Sequence, residues 1–173
     1  ETINLAAKSG VPEIQVFAIQ LKTPDLHRDV LRCIDGAIPF PIIFELTQGQ
    51  GAEASTQVIA AYKRPNEADA ASWVCSEYFE AGWRPAETVR APLPLALDLG
   101  VLYQQLLVRL VPVTARTEEP LRDLVARAEE FTAKEREVAK AESRIAKEKQ
   151  FNRKVEINAT LRQLKTELEQ LSR

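Results

Sequence analysis

Methionine is missing from the 173 residues, histidine occurs once and cysteine twice. Each scarcity excludes something. With His27 alone, a triad built on a histidine base or a histidine-rich metal centre has little to stand on. In the first turn of a predicted helix, beside Arg28 and Asp29, that histidine reads as solvent-facing. Cys33 and Cys75 make neither a disulfide framework nor a four-ligand metal site. Their apolar sequence neighbours predict two buried thiols in a reducing cytoplasm. No apolar run reaches the about 18 residues that a membrane helix needs, and no signal peptide is visible, so a cytoplasmic chain with no membrane partner is expected. Absence of methionine implies that residue 1 is not the natural start and that an upstream portion belongs to the same domain. Gly-rich phosphate loops, dinucleotide fingerprints and CxxC pairs are missing too.

What is present divides the chain in two. The apolar fraction of 45% is ordinary for a folded protein. The formal charge of −2 conceals a local basic patch, for Arg144 to Lys154 carries five basic residues against one acid. Residues 1–116 read as a mixed α/β domain, and residues 117–173 as a helical hairpin or coiled-coil arm.

Within the first part, the β-branched run EIQVFAIQLK (13–22) predicts a central strand. Thr23 as cap and Pro24 at the first helical position then predict a helix over 24–37, with Leu26, Val30, Leu31 and Ile34 on one face. PIIFELTQ (41–48) is a second strand, so the three elements make a βαβ unit with a parallel pair. Further strands are expected over 57–64, 73–79 and Glu87 to Ala91, and a helix after Asp98. The fold class is therefore α/β, a mixed sheet with packed helices, or α+β if the hairpins dominate.

From Leu121 to Arg173 there is no Gly and no Pro. Leu121, Leu124, Ala128, Phe131, Val138 and Ile145 form one apolar stripe, and Leu161, Leu164, Leu168 and Leu171 another. Heptads counted from the first arrive at Asn152 and Ala159, so the phase breaks within KEKQFNRKVEIN. Two readings stay open: a hairpin that folds one stripe onto the other, or a helix of about 80 Å shared with a dimer mate or other partner. Phe151 and Val155 are expected to anchor this junction to protein, with the basic residues facing outward.

Three constellations could carry chemistry. Gln20 and Lys22 end the first strand on one face, as in the Glu-x-Lys element of metal-dependent nucleases. There, acids bind Mg²⁺ and the lysine steadies the attacking water. Gln20 replaces the usual carboxylate, and an upstream strand is expected to supply the second acid. The residues given offer only Glu1 and Glu13, and Glu13 falls on the opposite face of the strand from Gln20. Asp35 could line the same rim of the sheet. Tyr62, Lys63 and Arg64, with Trp73, Tyr78, Phe79 and Trp83, mix basic and aromatic groups that could stack on bases or simply fill a core. Arg144, Lys147, Lys149, Arg153 and Lys154 could meet phosphate or an acidic protein surface.

The order of EIQVFAIQLK, IDGAIPFPIIFEL, YFEAGW, LPLALDLGVLYQQLL and EKQFNRKVEIN resembles the bacterial domain-of-unknown-function family 4391 over essentially the whole chain. That resemblance implies a partner subunit of a DNA-acting complex, working with a helicase or a DNA methyltransferase in restriction or phage defence. It supplies no catalytic residues. The expectation is thus a non-catalytic or weakly catalytic accessory protein without cofactor, contacting a protein partner, with DNA as a further contact and a homodimer through the arm as one assembly. The alternative is a degenerate or active PD-(D/E)xK-type nuclease using Gln20, Lys22 and Asp35 with Mg²⁺.

Overall fold

Alternation of side chains builds the first strand. β1 (Gln15–Gln20) turns Phe17 and Ile19 to one face and Val16, Ala18 and Gln20 to the other. The computed structural model, which describes residues 5–8, 10–24, 26–69 and 72–173, continues with α1 (Arg28–Ala37), β2 (Ile42–Gln48), β3 (Ser55–Pro65) and β4 (Trp73–Glu80). A two-residue strand β5 (Arg84–Pro85) and α2 (Leu99–Val108) follow, then α3 (Leu121–Lys147) and α4 (Phe151–Ser172). The chain divides into two compact units, Glu1–Leu110 and Val111–Arg173.

The first unit is a mixed sheet in the order β1-β2-β3-β4, with β5 paired to the start of β3. β1 and β2 run parallel with Gln15 opposite Ile42 and Gln20 opposite Thr47, as the crossover through α1 requires. The other pairings are antiparallel. Leu31 of α1 is fully buried against Ile42, Phe44, Leu46 and Ile59. Each such side chain contributes about 1.5–3 kcal/mol by leaving water. Ion pairs from Arg28 to Glu80 and from Arg32 to Glu77 draw α1 over β4.

Several expectations shift for identifiable reasons. α1 begins at Arg28 rather than after Thr23, because the strand pairing continues: Leu21 N donates to Thr47 O at 2.8 Å. His27 becomes the N-cap, its Nδ1 accepting from Asp29 N at 3.3 Å. Both cysteines are exposed, not buried; on α1, Leu31 and Asp35 take the inward positions and Cys33 faces away. No strand forms over Glu87 to Ala91, since Thr88 N turns back to Pro85 O and the chain continues as an irregular strap to Asp98. Asp98 caps α2 as expected, accepting from Val101 N at 3.0 Å.

In the second unit the run free of glycine and proline folds back on itself. α3 ends at Lys147, α4 starts at Phe151, and the two pack together. Lys134 pairs with Glu167 and Lys165 with Glu142, both at 2.8 Å, which fixes the helices as antiparallel. A single long helix is thereby ruled out. Glu148 makes the turn without glycine: its carboxylate accepts from Lys149 N at 2.8 Å and Gln150 N at 2.9 Å. Phe151 and Val155 do not anchor the junction. They are 78% and 53% exposed, because α4 turns Leu161, Leu164 and Leu168 toward α3 and the phase change leaves its first turn facing outward. Among the described residues no helix is long and apolar enough to cross a membrane.

Candidate interaction surfaces and the buried cation sites

The residues of the nuclease expectation are not brought together. Gln20 and Lys22 lie at the C-terminal end of β1, where Gln20 Nε2 donates to Gly49 O at 3.3 Å. Lys22 lines an open depression with Gln48, Glu53 and Ser55. Asp35 sits at the other end of the sheet, because α1 runs back from the end of β1 to its beginning. Gln20 is level with Thr47 and Thr56, whereas Asp35 contacts Lys63, a separation along β3 of roughly 20 Å. Asp35 also faces the α1 side of the sheet and Gln20 the opposite side. Glu13 accepts from Gln15 at 2.8 Å at the start of β1, and Glu1 lies outside the described residues. Among the described residues no group of three His, Cys, Asp or Glu side chains could hold a metal ion.

Asp35 instead belongs to a buried polar cluster. Lys63 Nζ, 1% exposed, donates to the carbonyls of Asp35 and Ile38 and lies 3.5 Å from Asp35 Oδ1. α1 has no basic residue in its last turn. A lysine from β3 therefore supplies the donors that its terminal carbonyls lack. The Tyr78 hydroxyl donates to the other Asp35 oxygen. Burial, and then that hydrogen bond, hold this hydroxyl well above the ordinary phenol range. Lys63 and Phe79, 2% and 5% exposed, are thus core residues and form no base-stacking face.

Beside the cluster, the β3–β4 ladder shifts register between Ala61 and Lys63. A bulge leaves backbone groups without ladder partners. Tyr103 of α2 answers two of them, accepting from Lys63 N at 2.8 Å and donating to Ala61 O at 2.7 Å. Ser76 Oγ accepts from Tyr62 N at 2.8 Å.

The second unit repeats the device with arginine. Arg127 Nε and Nη2 form a fork on Glu119 at 2.8 and 2.7 Å, while Nη2 also reaches Thr114 O and Nη1 reaches Leu171 O. Arg116 adds Nε to Arg173 O at 2.9 Å and Nη2 to Gln170 O at 3.1 Å. The end of α4 is thus capped by two arginines from outside it. The fork on Arg127 holds the Glu119 carboxyl down, from 4.5 to about 2, with the Arg116 backbone N–H adding to it.

Two surfaces stand open. On the strap before α2, Leu95 and Leu97 are 97% and 91% exposed and Leu93 lies beside them, while Pro94, Ala96 and Asp98 turn inward. Gln105 Nε2 donates to Leu95 O at 3.2 Å, and Arg90 pairs with Glu45 of β2, so the strap is tied down while its leucines face out. At the hairpin turn, Arg144, Lys147, Lys149 and Arg153 are exposed and Lys154 half-buried.

The family model described as Domain of unknown function (DUF4391) matches residues 1–168. The chain belongs to this family. No curated protein and no solved structure matches it. In this DUF4391 chain the basic turn was legible as a charge run. The leucine row stood in view as LPLALDL, but a segment with two prolines hid its alternation. Lys63, Arg116 and Arg127 carried no local signal, because each acts on a helix end distant in sequence.

Proposed function

We propose that this chain is an accessory subunit of a DNA-acting complex, a non-catalytic module that docks on a protein partner. The observation that supports it is the row Leu93, Leu95 and Leu97, held outward on a strap whose backbone is fastened to the sheet unit. Leucines this exposed have no folding role in the isolated chain, and a clustered row marks a contact surface. The basic turn of the helical hairpin supplies the DNA-facing part: Arg144, Lys147, Lys149 and Arg153 present charge to phosphate without a base-reading group. A helicase or DNA methyltransferase, expected from the family likeness, is the partner class to try first.

Co-purification with such a partner tests the reading. Leu95→Ser/Leu97→Ser should abolish recovery of the partner while leaving the circular dichroism spectrum unchanged. Lys147→Glu/Lys149→Glu should weaken binding to a labelled DNA duplex and reduce its salt dependence. Unaltered partner recovery by the leucine variant would sink the docking role.

A further inference from the structure

The two edges of the sheet are built differently. β4, at one edge, carries Glu77 and Glu80, is bridged to α1 by Arg32 and Arg28, and lies against the bulge in β3. Charges and bulges of this kind keep a strand edge from pairing with another chain. β1, at the other edge, reads QVFAIQ, six residues without a charge, a proline or a bulge. In the parallel pair with β2, the odd residues turn their backbone groups inward, as Gln15 N to Pro41 O and Leu21 N to Thr47 O show. The N–H and C=O groups of Val16, Ala18 and Gln20 therefore point outward, and among the described residues no strand pairs with them. Because α1 is drawn over β4, Phe17 and Ile19 stay only half-buried, and on the other face Val16 is 65% exposed.

We infer that this edge is a self-pairing surface: a second copy of the chain docks β1 against β1, antiparallel, in a register centred on Ala18. A two-fold axis perpendicular to the sheet demands that paired residues share a face, and this register satisfies it. Ala18 meets Ala18 of the second copy, and Val16 meets Gln20. All three outward N–H groups and all three outward carbonyls on each copy then find partners, the hydrogen-bonded pairing of an antiparallel ladder. Phe17 falls opposite Ile19 of the second copy on the α1 side, twice by symmetry, an aromatic–β-branched pair that stabilises strand pairing. No charged side chain lies between the paired residues, so nothing repels. The two sheets become one, and neither β1 remains an edge.

The Ala18 side chain is exposed, so it can be changed with little cost to the single chain. Sedimentation of the full chain should give twice the chain mass. Ala18→Lys and Ala18→Glu should each halve it, because like charges then lie directly opposite, while the thermal transition stays close to wild type. Mixing the two variants in equal amounts should restore the doubled mass. Leu95→Ser/Leu97→Ser should leave it doubled, which separates this surface from the leucine row. A wild-type monomer, a dimer that survives Ala18→Lys, or a mixture that fails to reassociate would each overturn the proposal.

Discussion

Both units face the same difficulty at a helix end, and each solves it with a different cation. α1 and α4 lack basic residues in their last turns, and each is served by a buried cation from elsewhere in its unit, with the exposed Arg116 as a second donor at α4. At α1 the cation is Lys63, a point charge aimed at two carbonyls and balanced by Asp35, which lies on the capped helix itself. At α4 it is Arg127, whose planar fork is spent on Glu119 while a remaining N–H reaches the helix end. The difference follows from shape. Three N–H groups radiating from one nitrogen suit carbonyls converging at a helix end, whereas a guanidinium suits a carboxylate and can bridge it to a third segment. The sheet unit uses its cation to close a helix; the hairpin unit uses its cation to fasten a loop, a helix and a helix end together.

Removing the lysine should have the largest effect. Lys63→Met leaves the Asp35 carboxylate buried beside Tyr78 and two helix-end carbonyls without donors, and should cost about 3 kcal/mol in urea unfolding. Lys63→Met/Asp35→Asn should cost less than the single change, since no uncompensated charge remains. A double variant as unstable as the single one would mean that the capping bonds, not the charge balance, matter.

Exchanging the cations comes next. Arg127→Lys should destabilise the hairpin unit by about 1–2 kcal/mol, because an ammonium cannot hold both Glu119 oxygens and still reach Thr114 and Leu171. Thermal unfolding followed by the helical signal reads this. If lysine served equally well, the argument from shape would fail.

How far the sequence foretold these arrangements depends on the range of the interaction. β1, β2 and β4, the α1 crossover, α2 with its Asp98 cap and the break near residue 148 were all written in local periodicity and turn chemistry. The start of α1 was misplaced because one hydrogen bond, Leu21 to Thr47, outweighed the capping signal of Thr23 and Pro24. The grouping of Asp35 with Lys22 failed because α1 reverses direction, which carries the two to opposite ends of the sheet. The cation caps were invisible, since Lys63 read as one more basic residue beside aromatics. Nothing near Arg127 in sequence announces the end of α4, 44 residues on.

Acid separates the two devices on a finer scale. Glu119 is held down to about 2 from 4.5 by the arginine fork, so its contribution to the hairpin unit is fully present above about pH 4.5. As pH falls toward 2 the unfolded chain takes up the proton first, and that contribution is progressively lost. Thermal midpoints of the helical signal at pH 5, 4, 3 and 2 should therefore drop, and Glu119→Gln should start lower and drop less. An equal slope in the variant would place the acid sensitivity elsewhere.

The smallest effect is expected at Arg116, which is exposed yet donates to the Arg173 and Gln170 carbonyls. A solvent-facing cap stabilises only the last turn, by about 0.5 kcal/mol. Arg116→Ala should therefore speed amide hydrogen exchange in the closing turn of α4 while leaving the global transition unchanged. Arg127→Lys should speed it throughout both helices, because its fork ties the segment before α3 to the end of α4. If Arg116→Ala loosened the whole hairpin as well, the two arginines would act as one cap, and the contrast with the single lysine of the sheet unit would widen.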